Sequence, residues 1–249
     1  MSGHSKWSTI KHKKAALDSK RGKLWSKLSR NVTMAARTGG DPGANSRLRL
    51  AVEKAKDANM PRDTIEKAIK KGTGELEGET IEEVVYEGYG TKGVAFMCHT
   101  LTDNRNRTGP EIKKLFERHG GHLGAPNCVA WMFTQKGIIV IEESAADEDQ
   151  IIELALEAGA EDVSASAINY EITCPPDAFL AVKGALEAAS IPLVSADMSM
   201  VASSTVTLDA NAARKIMKLM DELDDHDDVQ TVSANFDIPD DVMADLAAG

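Results

Sequence analysis

The chain has 249 residues, 42% hydrophobic, 27% charged and 4% aromatic, a globular composition that excludes wholesale disorder. No window approaches the roughly 18 consecutive apolar residues of a membrane span, and the N-terminus lacks the apolar region of a secretory signal. Three scattered cysteines, Cys98, Cys128 and Cys174, argue against a disulfide framework, so a soluble cytoplasmic protein is expected.

The net charge of −10 is unevenly placed. Residues 1–71 carry 18 Lys and Arg against six acids, whereas the remaining 178 carry 11 against 33. Such segregation makes one end attract polyanions while the other repels them.

Residues 1–18 read as a basic arm, with Lys6, Lys11, Lys13 and Lys14 among serines and with Trp7 and His12 interleaved. Residues 19–38 then have helical periodicity. Leu17, Leu24, Trp25, Leu28, Val32 and Ala35 share one arc of about 100°, and Lys20, Lys23, Lys27, Arg30 and Arg37 share the adjoining arc. A second helix is expected from an Asn45 or Ser46 cap to Ala58, and a third from Pro61 to Lys71, ending before Gly72. Basic residues such as Arg47 and Arg49 continue through these helices. The pair resembles a helix-turn-helix only superficially, and an ordinary antiparallel hairpin explains it as well.

From Glu79 the period changes. Val84–Glu87 and Val94–Cys98 read as hairpin strands, followed by a helix over 107–119 and strands at Val129–Phe133 and Ile138–Ile141. A helix capped by Asp147, strands near 161–166 and 168–174, a helix from Pro175 to Ala189 and a strand within 194–202 come next. A helix over 209–224 and a strand over 229–236 close the pattern. The expected fold is therefore α+β: an arm (1–18), a basic three-helix domain (19–75), a discontinuous α+β domain (76–136 with 206–249) and an inserted ferredoxin-like βαββαβ domain (137–205).

Most chemical motifs fail. Gly88-Tyr89-Gly90-Thr91-Lys92-Gly93 matches a dinucleotide fingerprint in letters, but a strand rather than a helix follows it, so it reads as a tight hairpin. The histidines and cysteines lack zinc-site spacing, and Asp224-Asp225-His226-Asp227-Asp228 reads as a solvated acidic helix end rather than a cation site. Asp103-Asn104-Arg105-Asn106-Arg107-Thr108 has two readings left open: a second phosphate contact through Arg105 and Arg107, or a local network with a helix cap. Trp7 and His12 either stack on unpaired bases or tuck against the protein itself. No nucleophile–base pair is apparent, which disfavours a hydrolase or metal-dependent activity at 103–124.

Several of these stretches, taken together, resemble the YebC/PmpR family: Met1-Ser2-Gly3-His4-Ser5-Lys6-Trp7, Ile10–Ala16, Lys20-Arg21-Gly22-Lys23, Asn59–Asp63, Tyr86–Gly90, Asp103–Thr108 and Gly120–Gly124. Departures are confined to Ala125–Val129, where the family has a Gly-Ser-Val step, and Thr91-Lys92, where it has Pro-Gly. The resemblance implies a basic helical domain and two α+β domains, one inserted in the other. It also implies a non-enzymatic nucleic-acid-binding regulator, a DNA-binding transcriptional regulator in the first reading. The alternative is a ribosome-associated, RNA-binding translation factor. The expected contacts are Lys6, Trp7, Lys11, His12, Lys13, Lys14, Lys20, Arg21, Lys23, Lys27, Arg30, Arg47, Arg49, Asn104, Arg105, Asn106 and Arg107. DNA or ribosomal RNA, and through it the ribosome, is the expected partner, with no cofactor, metal, membrane or small-molecule substrate.

Overall fold

The computed structural model describes residues 21–78, 80–165, 169–239 and 242. Three helices come first, α1 (Arg21–Ala36), α2 (Ser46–Asp57) and α3 (Arg62–Thr73). Asn45 caps α2: its side-chain oxygen accepts from the Leu48 amide at 3.0 Å, while its Nδ2 donates to the carbonyls of Ala35 and Gly39. One residue thus fixes both sides of the α1–α2 turn. Leu28, Val32 and Ala35 of α1, Leu48, Val52 and Ala55 of α2, and Ile65 and Ala68 of α3 form a core of their own. Leu24, expected on the packed face, is exposed because that core begins only at Trp25 and Leu28.

The third helix corrects the expected stop at Lys71. It runs through Gly72 to Thr73, and the left-handed cap is Gly74 at φ 83°. Gly72 lies inside the helix because α1 passes so close there. A Cβ on it would stand 2.3 Å from the Thr33 carbonyl oxygen and 2.6 Å from Ala36 Cβ.

The chain continues as β1 (Glu82–Tyr89), β2 (Ala95–Thr102), α4 (Arg105–Arg118), β3 (His122–Leu123), β4 (Phe133–Glu142), α5 (Glu148–Glu157), β5 (Asp162–Ala165) and β6 (Asn169–Cys174). It closes with α6 (Phe179–Ala188), β7 (Leu193–Ala202), β8 (Val206–Thr207), α7 (Ala210–Asp224), β9 (Val229–Ala234) and β10 (Phe236–Asp237). Strands β4 to β7 form one antiparallel sheet of order β5-β6-β4-β7, the ferredoxin-like arrangement of a βαββαβ unit. Ile139, Ile141 and Ile172 of this sheet pack on Ile151 of α5 and on Phe179, Val182 and Leu186 of α6.

The other sheet, β3-β1-β2-β9, draws its strands from both sides of that segment. Its central strand β2 is covered on both faces, which is why Val94–Cys98 is a continuous apolar run. Phe96 and Cys98 face α4 and α7, meeting Ile112, Phe116, Ile216 and Leu219. Ala95 and Met97 face the opposite way, onto Val129 and Phe133, with Met200 and Ala202 of β7 alongside. The two sheets therefore share a small apolar seam.

Val129–Phe133, expected as a strand, is a turn and a short 3₁₀ segment (Ala130–Met132), and β4 begins only at Phe133. The physical reason is Glu87. Its buried carboxylate accepts from the amides of Asn127, Val129 and Ala130 at 2.7 to 2.8 Å, so those donors are unavailable to a strand ladder.

Candidate nucleic-acid interface

Lys6, Trp7, Lys11, His12, Lys13, Lys14 and Lys20 lie outside the described residues, as does the side chain of Arg21. The next three expected contacts share one side of α1, and all three meet the loop that follows α7. Lys23 Nζ lies 3.5 Å from Asp227 Oδ1 and donates to the Asp225 carbonyl at 3.4 Å. Lys27 donates to the Asp224 carbonyl. Arg30 reaches Asp228 Oδ1 at 2.6 Å and the Asp227 carbonyl at 3.2 Å. The cationic stripe of α1 is real, but here it faces the protein's own acids.

Asp228 corrects the expectation of a wholly solvated helix end, because its side chain is 1% exposed. Oδ2 accepts from Thr108 at 2.6 Å and from Arg107 at 2.7 Å, while Oδ1 takes Arg30. Burial alone would raise its pKa, yet the hydrogen bonds from Thr108, Arg107 and Arg30 outweigh it and hold the carboxyl at about 2. His226 steadies the same loop. Its Nδ1 accepts from the Asp228 amide at 3.2 Å, and its Nε2 donates to Glu111 at 3.0 Å.

The run 103–107 opens α4. Asn104 is the cap, its side-chain oxygen accepting from the amides of Asn106 and Arg107 at 3.1 and 3.2 Å. Arg107 bridges Asp103 at 3.0 Å and Asp228, while Arg105 lies 3.8 Å from Glu82. The local network thus accounts for Asn104 and Arg107, and Asn106 presents an exposed side chain.

On α2, Arg47 pairs with Glu83 at 3.0 Å and Lys54 with Asp197 at 2.5 Å, across to the two sheets. These contacts, with Lys183–Asp57 at 3.6 Å, ring a cleft of about 630 Å³ where the helical unit meets both sheets. Each of its named cations already has an acid, so it is no ready-made phosphate pocket.

A different set remains open. Arg37, Lys56, Lys67, Lys70 and Lys71 are exposed, Arg49 is half-buried, and none has an acidic partner among the described residues. Lys67, Lys70 and Lys71 lie on α3 away from buried Ile65 and Ala68. Apart from Arg49, sequence reasoning does not single these out as contacts, and spacing conceals two of them. Asp63 and Glu66 stand four residues before Lys67 and Lys70, the spacing of a helical ion pair, but Glu66 pairs instead with Arg62 at 2.9 Å. Trp131 is also missed: read as a strand residue, it is 76% exposed, with its indole N–H held by the Cys128 carbonyl at 3.1 Å.

Nothing in the described residues assembles a reactive centre. Cys98 is fully buried and burial drives its thiol pKa upward, and burial pushes Cys174 up to about 11. Burial likewise lowers the pKa of His99.

Comparison with known proteins covers nearly the whole chain. Residues 5–75 match the family model described as the TACO1/YebC protein N-terminal domain, and residues 81–236 match that of the TACO1/YebC second and third domain. A probable transcriptional regulatory protein of Dictyoglomus turgidum is 52% identical over 249 residues, covering 99% of this chain and 100% of that one. One of the same name from Syntrophus aciditrophicus is 52% identical over 250 residues and covers both chains fully, 100% of each. The crystal structure of a conserved hypothetical protein, Aq1575 from Aquifex aeolicus, is similar with a TM-score of 0.81 and 47% identity, over 90% of this chain and 93% of that one.

Proposed function

The chain belongs to the TACO1/YebC family, and from that premise we propose that it is a non-enzymatic transcriptional regulator that binds DNA through its N-terminal three-helix unit. The names carried by its relatives support a regulatory role. The observation that carries nucleic-acid binding is the set of cations without acid partners, Arg37, Arg49, Lys56, Lys67, Lys70 and Lys71, all on the helical unit of a chain whose net charge is −10. Cations so gathered contact phosphate, which positions a protein on a nucleic acid without reading its sequence. The arm, with Lys6, Lys11, Lys13, Lys14 and Lys20, extends the same positive end, and Trp7 and His12 supply rings for stacking.

One observation favours a second reading, a ribosome-associated RNA-binding translation factor. A recognition helix enters the major groove with its N-terminal residues. The first turn of α3 instead presents Asp63 and the Arg62–Glu66 pair, and its unpaired lysines sit at the other end. Backbone and shape recognition suits structured RNA as well as duplex DNA.

The test is equilibrium binding to a DNA duplex and to a structured ribosomal RNA fragment across a salt series. Log affinity should fall with log salt by about 0.7 to 0.9 per phosphate contacted. Lys67→Gln/Lys70→Gln/Lys71→Gln should flatten that slope by roughly 2 to 3 while leaving helix content unchanged. Preference for the duplex supports the transcriptional reading and preference for RNA supports the second. A flat salt response with both probes would sink the proposal.

A further inference from the structure

We propose that the acidic loop after α7 is an intramolecular competitor for the polyanion. It occupies the cationic side of α1, so nucleic acid gains Lys23, Lys27 and Arg30 only when the helical unit undocks. This rests on the reading of that unit as the nucleic-acid-binding part.

The contacts themselves support the idea. Lys23, Lys27 and Arg30 lie along one edge of α1 and receive oxygen ligands: the Asp227 and Asp228 carboxylates and the Asp224, Asp225 and Asp227 carbonyls. That is the chemistry a phosphate backbone would present to the same edge. The loop stands in for it.

The two halves are also built to separate. The helical unit has its own core, and the apolar clusters of the sheets take one side chain from it, Leu50. The rest of the junction is polar, through Asn31–Gln230, Arg47–Glu83, Lys54–Asp197 and Asp57–Lys183, around the open cleft. Polar junctions of this kind permit relative domain motion.

Departure of α1 would not collapse the loop. Asp228 keeps Thr108 and Arg107 when Arg30 leaves, and His226 stays pinned to Glu111. The acidic surface is therefore preformed on the sheet domain, and α1 is the detachable partner. A competitor of this kind lowers apparent affinity by the fraction undocked. It also makes the wild-type salt slope shallower than the number of available cations predicts.

The experiment compares Asp224→Asn/Asp225→Asn/Asp227→Asn, which spares buried Asp228, with Glu148→Gln/Glu153→Gln/Glu157→Gln on α5, an equal change of charge far from the stripe. With a random-sequence DNA duplex as probe, the loop variant should bind more tightly than the control and steepen the salt slope by roughly 2 to 3, one phosphate contact for each freed cation. In the wild type, zero-length carbodiimide coupling of Lys23 to Asp227, read by peptide mass spectrometry, should fall several-fold when the duplex is saturating. Equal gains in the loop variant and the control reduce the effect to net charge and overturn the proposal. A cross-link yield indifferent to bound duplex overturns it too. Absence of binding by every form at low salt instead fails the underlying assignment of the helical unit, a result distinct from binding with equal slopes.

Discussion

Asp228 shows how much of this structure hangs on single polar side chains. It receives Arg30 from α1 and Arg107 and Thr108 from α4, with Thr102 of β2 at 3.3 Å, inside a site from which water is excluded. An unfolded aspartate titrates near about 3.9, whereas the folded carboxyl is held at about 2. The native state therefore binds this proton less readily than the unfolded chain. Its contribution is fully present above about pH 4 and is lost as pH falls toward 2; the difference corresponds to on the order of 2 kcal/mol. Asp228→Asn should cost about 3 kcal/mol of stability at neutral pH in urea denaturation, because two guanidinium groups lose their shared anion. The variant should also lose less stability than the wild type on acidification across that window, and parallel acid profiles would refute the assignment. Glu87 does similar work in the 127–130 turn. Glu87→Gln puts one N–H donor among amides that are themselves donors, for a cost of about 1 to 3 kcal/mol, and Trp131 fluorescence should report the loosened turn. Neither role is legible in the sequence. Asp228 is one of four aspartates in a five-residue run, and its partners lie 121 and 198 positions away. The Asn104 cap was legible, since a cap needs only its own next three residues.

Glycines separate elements that merely follow periodicity from elements fixed by packing. In α6, Gly184 is exposed and has nothing within 4 Å of a built Cβ. Gly184→Ala should raise stability by about 1 kcal/mol, the backbone-entropy gain of alanine in a helix. Gly72 in α3 should behave oppositely. Its added methyl would press on the α1 backbone at Thr33, so Gly72→Ala should destabilise by about 1 to 3 kcal/mol, spreading the α1–α3 crossing. Thermal unfolding of the two variants reads the contrast directly, and equal shifts would mean that α1 and α3 are not in such close contact. Periodicity and caps placed the helices and the βαββαβ order, because each depends on neighbours within a turn or a strand. They misplaced the end of α3 and the start of β4, where the deciding groups, the Thr33 carbonyl and the Glu87 carboxylate, lie about 40 residues away in sequence. The two-residue strand β3 and the β8–β10 pair are too short to carry any period.

At the scale of the whole chain, the charge segregation visible in the sequence reappears as a division of labour among contacts. The cores of the helical unit and of the sheets are apolar and separate, whereas the junction between them is mostly ionic. Three of its pairs, Lys23–Asp227, Arg47–Glu83 and Lys54–Asp197, have side chains between 36 and 69% exposed. Pairs so exposed contribute about 0 to 1 kcal/mol each and weaken as added salt shortens the screening length to a few ångströms. Apolar cores do not share that sensitivity. Raising salt from about 0.05 to 1 M, with a screening length near 3 Å at the upper end, should therefore loosen the junction before it unfolds any part. Small-angle scattering should record an increase in radius of gyration while far-ultraviolet dichroism stays constant. A radius unchanged up to 1 M would mean that the Arg30–Asp228 bond and Leu50 suffice to hold the units together, because those are the contacts screened least by burial. Asp228→Asn in the same salt series tells the two apart: it removes the buried bond and leaves the three exposed pairs intact. If the exposed pairs dominate, its curve should follow the wild type, whereas dominance of the buried bond should make the variant expand already at low salt.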